Sequence, residues 1–509
     1  MGPRSWLSAP LAIPAALSAL LLGAIALDLS PLLRGPAPYP PEWRWGFRSE
    51  PMGPLSGLAL MAGAALVALL AGVSTRALSR TRALGALAVA TLLGWLYQLG
   101  LVQMADAASL PVSLAVRTTS PWYTGYFGVA ASGLAADPLV FLRQHAEILP
   151  TLVGHMEHVP THPPGAVLFF RAVLGFCQAF PGVAEALVAL YGEGRNAIPP
   201  ALLREGAAIP AAALLAPGLL ALVAAATAFP VALLARQLGA DRGVAVAIGV
   251  LWTLLPAPSL FVPQLDQLVT ASCAVAVAGF LTAARCDLAA KRFGVAGFAG
   301  LAAGAAIFLS YGSAIYIALG GLWAAAVACD EKSALPRVAG AIAASVVAAL
   351  LFQSVPVSLG HDPVASFEAS MATHFGVYTS KRSYPLWTVF NLWDLSVFLT
   401  VPVVWAWGQR LRASAAQLRS QGVWGADARG ARSACAALGL LLLLDVSGLV
   451  RGEIGRSWMP MMPMLLAAAL AGPAAWDTAR GLRLSAGHAA GLGALLVTTG
   501  FVLRISWSL

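Results

Sequence analysis

The sequence predicts an all-α, polytopic membrane protein, and three observations carry this prediction. Hydrophobic residues make up 59% of the 509 residues and charged residues only 10%, whereas ordinary globular proteins contain roughly 25% charged residues. Apolar runs near the length that crosses a bilayer, about 20 residues, recur from one terminus to the other. Many contain glycine or proline, which membrane helices tolerate. We expect about 13 transmembrane helices, to within about two.

The apolar runs follow one another along the chain with short polar interruptions. The first lacks a clear small-residue cleavage site, so we interpret it as a retained helix and not as a signal peptide. A further apolar stretch over 166–181 is either re-entrant or followed by a weak span within 182–206. The runs lie at about 8–30, 55–73, 83–102, 208–235, 243–257, 267–284, 293–309, 312–328, 338–357, 389–408, 434–450, 460–475 and 488–506.

Basic residues cluster in loops that we assign to the cytoplasmic side, where positive charge is retained. The amino terminus is then inside and the carboxyl terminus outside. Most acids fall on or near the outer face, which orientation does not explain, because acids contribute little to it. The basic loops contain Arg76, Arg80, Arg82, Arg285, Lys291, Arg292, Lys332, Arg337, Arg410, Arg412, Arg419, Arg429 and Arg432.

Four segments are too polar for the membrane core, and all four map outside: 31–54, 103–165, 182–206 and 358–388. The first mixes prolines with aromatic residues of the type that anchor at the membrane interface. Within the second, Asp137 is a suitable N-cap and Pro138 a suitable first-turn residue, followed by apolar residues at helical spacing. Residues 137–149 are therefore predicted to form an amphipathic helix in the outer interface.

The densest cluster of titratable residues closes the second outer segment. His145, His155, His158 and His162 lie there, together with Glu157. Such concentration is typical of active sites, and two prolines after His162 would hold the backbone rigidly. A hydrogen-bonded histidine at a proline-defined helix entry is the structural alternative. These ligand types would suit a divalent metal, but their spacing matches no standard zinc pattern, so we assign no metal ligand.

Two further carboxylates stand where spans meet the outer face. Asp106 follows the third apolar run and could act as a general base at the mouth of the bundle. Asp266 begins a later run, where an acid is costly unless it is solvated or paired. A solvated acid at a helix end explains either position equally well.

Cations of the outer face form the last candidate group. Lys381 and Arg382 lie in the fourth outer segment, and Arg451, Glu453 and Arg456 lie in a short loop between two late runs. Outer arginines oppose the positive-inside tendency, which indicates an anionic partner such as a lipid phosphate. Pairing of the arginines with Glu453 is the alternative.

Together these residues resemble the GT-C superfamily of integral-membrane glycosyltransferases, in particular the branch of protein O-mannosyltransferases and aminoarabinose transferases. The segment His162-Pro163-Pro164-Gly165 is similar to the His-Pro-Pro-Leu motif of that branch, which follows a long outer loop with an interfacial helix. Asp266 and the loop that contains Arg451 and Arg456 add to the resemblance. It covers roughly residues 83–475.

The resemblance implies that an acid of the first large outer loop deprotonates the acceptor, while a polyprenyl-phosphate-linked sugar donates its glycosyl group. Asp106 occupies the matching place. Because Tyr123 and Tyr126 do not follow it at the family's spacing, the catalytic base stays open between Asp106 and Glu157. Substrate-binding roles then fall to His158, His162, Asp266, Lys381, Arg382, Arg451, Glu453 and Arg456.

The expected organisation is a two-helix addition over 1–75, a GT-C-like core over 83–475 with outer loops at 103–165 and 358–388, and a C-terminal helix over 476–509. Expected partners are the sugar donor, a glycan, lipid or protein acceptor, and membrane lipids, but no nucleic acid. No cofactor is certain, although the ligand types of the histidine cluster would suit a divalent metal. The expected location is the plasma (inner) membrane, with the active site on the extracytoplasmic face.

A transporter or flippase of a lipid-linked sugar is the alternative function. Such a protein would also need outer cations and an apolar groove. It should show broken helices in paired halves or charges buried at mid-membrane, for which Asp445 is the main candidate.

Overall fold

The computed structural model describes residues 9–38, 42–48, 56–104, 108–121, 123, 125–155, 158–192, 206–425, 427–471 and 485–508. Almost all regular structure in these ranges is helical, with one two-residue strand pair. The chain is therefore an all-α polytopic membrane protein.

The N-terminal part contributes three helices and one short strand. Gly100 of the third helix crosses the second so closely that a Cβ there would lie 2.5 Å from the Ala59 nitrogen. The two helices therefore meet backbone to backbone, as small residues allow in membranes. The elements are α1 (Ala9–Ala26), β1 (Gly46–Phe47), α2 (Gly57–Ser74) and α3 (Arg80–Met104).

The second outer segment folds into short helices around its own apolar core. Asp137 caps as predicted, since its Oδ1 accepts hydrogen bonds from the Leu139 and Val140 nitrogens at 2.8 and 3.2 Å. The prediction of a single helix over 137–149 is wrong, because the helix is interrupted at Gln144, where the backbone leaves the helical conformation (φ −95°, ψ 9°). The elements are α4 (Leu110–Thr119), α5 (Tyr126–Ala130), α6 (Pro138–Arg143), α7 (His145–Leu152) and a 3-10 turn at Val159–Thr161.

The apolar stretch after His162 is a bent pair of helices. The pair consists of α8 (Gly165–Ala179) and α9 (Pro181–Ala189), and its axes differ by 101° across Phe180. Pro181 starts the second helix, because proline cannot continue the hydrogen bonding of the first. The stretch is thus not one straight span, and residues 193–205 lie outside the described ranges.

The central part is a run of apolar helices. Ala208–Gln237 counts as one 30-residue candidate span, whereas the helix predicted within 243–257 has only 13 residues, short of the roughly 20 that a bilayer needs. The elements are α10 (Ala208–Ala226), α11 (Ala228–Gln237), α12 (Arg242–Leu254), α13 (Pro256–Leu260), α14 (Asp266–Ala284), α15 (Ala289–Leu309), α16 (Ser313–Ala328) and α17 (Leu335–Ser358).

The C-terminal part contains a second bent pair. The run predicted over 389–408 is divided at Thr400, where φ is 74°, and the helices on either side differ in direction by 109°. The elements are α18 (Pro363–Thr373), a π-helical turn His374–Tyr378, α19 (Tyr384–Leu399), α20 (Val401–Gln421), α21 (Arg429–Ser447), α22 (Ile454–Ser457), α23 (Met462–Leu470), α24 (Ala486–Ser506) and β2 (Trp507–Ser508). Further 3-10 turns lie at Pro31–Arg34, Gly133–Ala135, Lys332–Ala334, Thr379–Lys381 and Met459–Met461.

By length and composition, eight helices of the described residues can cross a membrane, or up to ten if each bent pair counts as one span. The sequence had indicated about 13, within about two, because it counted runs by hydropathy alone. Four of those runs form shorter apolar helices, at Leu11–Ala26, Arg242–Leu254, Ser313–Ala328 and Met459–Leu470.

The basic loops gather at one end of the bundle, named here the basic end. Arg337 donates to the Ala284 carbonyl at 2.9 Å, Arg285 donates to the Gln237 side chain at 3.0 Å, and Arg429 pairs with Asp330. The opposite end, named the loop end, carries the outer segments that contain the histidines. It also carries the loop over residues 451–456, named here the arginine loop.

Candidate functional site

Four charged side chains form a chain of alternating sign at the loop end. Arg382 lies 3.5 Å from Glu453, Glu453 lies 2.9 Å from Arg456, and Arg456 lies 3.5 Å from Asp266. Their side chains are between 7% and 30% exposed. All four are predicted substrate-binding residues, brought together from three separate parts of the sequence. The alternative expected from the sequence, pairing of the outer arginines with Glu453, is therefore present. Asp266 is a second acidic partner of Arg456.

Polar side chains of α19 accept hydrogen bonds from the backbone of the arginine loop. Asp394 accepts hydrogen bonds from the Ile454 and Gly455 nitrogens at 2.8 and 3.3 Å, and Asn391 accepts one from Gly452 at 3.3 Å. Both α19 side chains are buried. The loop is thus fixed to the bundle, so the side chain of Glu453 is presented from a rigid support.

Glu453 itself has a left-handed backbone conformation, with φ 57° and ψ 34°. A non-glycine residue in this region stores conformational strain, and such strain concentrates at functional sites where the surroundings over-determine it. Here the surroundings are the hydrogen bonds from α19 and the two guanidinium groups. The strained conformation keeps the carboxylate between Arg382 and Arg456.

The N-terminal outer segment packs against α19 and Arg382. Trp45 donates to Asp394 at 2.9 Å, and Trp387 donates to Glu42 at 2.8 Å. Trp43 lies beneath the Arg382 guanidinium, 5.8 Å from ring centroid to Cζ. The sequence interpretation of this segment as an interfacial anchor differs from the structure, because Trp45 is only 5% exposed and faces protein.

Two histidines lie beside the charged chain. His162 Nδ1 lies 2.9 Å from the His158 carbonyl oxygen, which only accepts, so Nδ1 carries the proton and Nε2 carries the lone pair. The edge of the Tyr126 ring contacts the imidazole at a centroid distance of 5.3 Å. The local 3-10 turn Val159–Thr161 and the prolines that follow it fix this geometry.

Both imidazoles are neutral at pH 7. Burial and then the Arg456 guanidinium lower the pKa of His158 to about 3. Burial likewise lowers the pKa of His162 to about 4, against the hydrogen bond to the His158 carbonyl, which raises it. A neutral imidazole with an available lone pair accepts hydrogen bonds from hydroxyl groups.

The pKa of Glu453 falls below its ordinary value. Burial alone would raise it, but the guanidinium groups of Arg456 and Arg382 outweigh that effect. Glu453 is therefore a carboxylate at neutral pH. The site consequently combines two cations and two acidic side chains in direct contact, with two neutral imidazoles near enough for Arg456 to influence their pKa values.

The remaining predicted cations differ in their surroundings. Lys381 is exposed. Arg451 donates to the carbonyls of Thr379 and Arg382 at 3.0 and 2.7 Å, and its guanidinium lies 5.3 Å from the Tyr384 ring centroid. Arg451 therefore ties the two outer loops together, a role its residue type did not reveal.

Asp106 and Glu157, the two candidates for the catalytic base, lie outside the described residues. Among the described residues, no group of three or more histidine, cysteine, aspartate or glutamate side chains is placed to hold a metal ion. His155 is exposed.

Sequence reasoning did not single out Asn391 or Asp394. His374, a titratable residue of the fourth outer segment, accompanies the site, since it influences the pKa of His162 and its Nε2 lies 3.1 Å from the Thr379 hydroxyl. A usable signal did exist for α19, because Asn391 and Asp394 are polar residues three apart within an apolar run, where polar groups are costly.

Gly165 completes the motif that resembles His-Pro-Pro-Leu, and the structure explains the glycine. A Cβ at this position would lie 2.1 Å from the carbonyl oxygen of Phe308, at the end of α15. The start of α8 is therefore packed directly against the backbone of α15, close to the position of His162.

Asp445, expected as a mid-membrane charge, has a local partner. It accepts a hydrogen bond from Asn391 at 3.0 Å and lies near the loop end of α21.

Compared with protein-family models, with curated proteins and with solved structures, the chain gives no match in any of the three.

Proposed function

We propose that this protein is a membrane glycosyltransferase of the GT-C type. It transfers a sugar from a polyprenyl-phosphate-linked donor to a glycan, lipid or protein acceptor on the extracytoplasmic face of the plasma membrane. The observation that carries the proposal is the charged chain from Arg382 to Asp266, set beside two neutral imidazoles at the loop end. Few residues of this lipid-embedded chain are charged, so their convergence needs a reason.

The reaction breaks the bond between the anomeric carbon and the phosphate oxygen and forms one to an acceptor oxygen. A carboxylate, Asp106 or Glu157, takes the acceptor proton as the new bond forms. The leaving group is a polyprenyl phosphate, whose added negative charge Arg382 and Arg456 stabilise, because guanidinium groups match phosphate oxygens. Exposed Lys381 adds a cation at the approach to the site.

The acidic partners of the arginines have a definite role in this scheme. Glu453 and Asp266 balance the two guanidinium charges before the donor arrives, which avoids unpaired buried cations. When the donor phosphate binds, Arg456 exchanges part of its pairing for the ligand. His162 accepts a hydrogen bond from a sugar hydroxyl through Nε2.

The test is sugar transfer by purified protein with radiolabelled polyprenyl-phosphate donors in proteoliposomes. Asp106→Asn and Glu157→Gln are compared with wild type, and Glu368→Gln serves as the matched control because Glu368 is an exposed acid of the outer face. Loss of a general base typically costs about 10²–10⁴ in rate. One of the two variants should lose that factor, and the control should not.

Arg456→Gln should lower transfer as well, with the larger effect on the chemical step because the phosphate charge grows in the transition state. Wild-type rates in both Asp106→Asn and Glu157→Gln would reject the assigned chemistry. Absence of transfer with every donor tried would reject the activity.

A transporter or flippase of a lipid-linked sugar is the second candidate, and the two bent helix pairs favour it. Broken helices with angles of 101° and 109° are features that transporters use at their substrate sites. The two functions separate in one assay with a fluorescent lipid-linked sugar. A flippase moves the intact lipid between leaflets and does so equally well in Asp106→Asn, whereas a transferase releases polyprenyl phosphate.

A further inference from the structure

A concave site lies at the basic end of the bundle, apart from the charged residues of the loop end. It is a cavity of about 670 Å³ between α3, α11, α12, α14 and α15, within the range of roughly 300–1,000 Å³ typical of ligand sites. Its wall includes Leu84, Leu233 and Phe298, which are 48%, 38% and 62% exposed. Helices of spanning length that expose such side chains face lipid, so the cavity is open to the bilayer.

Three arginines rim this apolar cavity. Arg80 begins α3, Arg236 lies in the last turn of α11, and Arg242 begins α12. None of the three belongs to an ion pair of the described residues, although Arg236 donates to the Ala240 carbonyl. The neighbouring acid Asp241 accepts a hydrogen bond from the Val244 nitrogen as the cap of α12. Three guanidinium groups exceed the single negative charge of Asp241, and the lining residues that the structure describes include no acid, so the rim carries net positive charge.

This cavity is separate from the site at the loop end. Helix α14 connects the two, since it begins with Asp266 in the charged chain and lines the cavity with Val275 and Thr282. Sixteen residues of helix from Asp266 to Thr282 correspond to about 24 Å. The cavity thus opens to the other leaflet, which the positive-inside pattern assigns to the cytoplasm.

We propose that this cavity binds one anionic phospholipid of the leaflet at the basic end. The arginines hold the phosphate, and an acyl chain lies along the apolar wall. Charge complementarity selects an anionic headgroup, because juxtamembrane arginines attract anionic lipids. The apolar wall and its opening to the bilayer select a lipid over a soluble phosphate. This assignment does not depend on the proposed glycosyl transfer.

The experiment measures lipid binding to the purified full-length protein by native mass spectrometry. Phosphatidylglycerol and phosphatidylcholine with identical acyl chains are added at equal concentrations. One phosphatidylglycerol should bind at least about tenfold more tightly than phosphatidylcholine, and glycerol phosphate without acyl chains should not displace it.

Two variants test the two halves of the site. Arg80→Gln with Arg242→Gln should reduce phosphatidylglycerol binding about tenfold. Val275→Phe, which fills the wall, should reduce binding of both lipids. The matched control is Arg76→Gln with Arg82→Gln, which removes two exposed arginines on either side of Arg80 that do not line the cavity.

Equal binding of the two lipids by the wild-type protein would overturn the proposal, as would an equal loss in the control pair. Displacement by glycerol phosphate would assign the rim to a soluble anion instead. The wild-type competition decides between these outcomes even if a variant fails to fold.

Discussion

At the scale of single residues, Glu453 combines an unfavourable backbone conformation with favourable ion pairs. A non-glycine residue in the left-handed region is destabilised by roughly 1–2 kcal/mol, yet Glu453 has φ 57°. Two guanidinium groups, at 2.9 and 3.5 Å, offset that strain. The carboxylate is therefore a structural counter-ion first, whatever ligand the arginines bind.

Replacing Glu453 with glutamine should destabilise the folded protein. Glutamine keeps the shape but leaves Arg382 and Arg456 without their shared counter-ion, and breaking a buried pair costs about 3–5 kcal/mol. Because Glu453 is 15% exposed, we expect a smaller loss of about 1–3 kcal/mol. Thermal unfolding in detergent measures it, with exposed Glu368→Gln as the control. A melting temperature equal to wild type would show that the pair is not stabilising.

The neutral histidines predict a pH dependence of stability. His158 and His162 have pKa values of about 3 and 4 in the folded chain, below the ordinary value of about 6.5 expected after unfolding. Between about pH 6.5 and pH 4 the unfolded chain binds more protons at these two histidines than the folded chain does. The contribution of these two histidines to stability is therefore complete above about pH 6.5 and is lost as the pH falls toward 4 for His162 and toward 3 for His158.

Melting temperatures measured across that pH range check this expectation. His162→Gln should make the decline shallower, because one proton-linked group is removed. Buried His145, whose pKa burial lowers to about 3, keeps part of the decline. His155→Gln, a change at an exposed histidine, should leave the slope as in wild type. A slope unchanged by His162→Gln would mean that this imidazole is not buried in solution.

At the scale of elements, α8 shows how one helix combines two kinds of glycine. Gly165 packs against Phe308 with no room for a Cβ, whereas nothing lies within 4 Å of a Cβ at Gly175. Gly165 is therefore required for the close packing of α8 against α15, whereas Gly175 is not required for any close contact. Close contact at the start of α8 sets the position of His162, three residues earlier.

Alanine at these two positions should therefore have opposite effects. Gly165→Ala forces α8 and α15 apart and should destabilise the protein by about 1–3 kcal/mol, as overpacking does. Gly175→Ala should be neutral or stabilising by up to about 1 kcal/mol, since alanine is the better helix former. Thermal unfolding of both variants decides the matter. Equal effects of the two changes would contradict the close α8–α15 contact.

At the scale of the whole molecule, the first outer segment meets the C-terminal strand at the loop end. Strand β1 pairs antiparallel with β2, with Gly46 opposite Ser508, and α1 and α2 pack against α24. Helices α1, α2 and α24 therefore pack together. Glu42 and Trp45 also bond to Trp387 and Asp394 of α19, and Asp394 in turn accepts from the nitrogens of Ile454 and Gly455.

A designed disulfide tests this arrangement. A Cβ at Gly46 would lie 3.1 Å from the Ser508 Cβ, slightly below the roughly 3.5–4.5 Å of a disulfide. Cysteines at both positions should therefore cross-link on mild oxidation with a small adjustment. Peptide mass mapping identifies the link. Gly46→Cys with Ser485→Cys is the control, because Ser485 lies at the other end of α24, about 30 Å away.

Failure of the Gly46–Ser508 pair to form a link, or equal linking of the control pair, would place the N-terminal segment elsewhere. The outcome bears on the site as well. If the segment does not reach the loop end, Trp45 cannot be the donor to Asp394.

The sequence by itself determined that the chain is a helical membrane protein, roughly where most of its apolar helices lie, and which charged residues are candidates for the site. These properties follow from local hydropathy and from charge sorting, which depend on neighbouring residues only. The cap at Asp137 was predictable for the same reason, because a cap acts within one turn. Asp266, Arg382, Glu453 and Arg456 were all identified as candidates in this way.

Only the tertiary structure decided how those candidates pair. Arg382 and Glu453 are 71 residues apart, and Glu42 reaches Trp387 across 345 residues. No periodicity of the sequence encodes such contacts, since they depend on how whole helices pack. The bends at Phe180 and Thr400 were hidden for a related reason, because hydropathy measures how apolar a run is and not its direction.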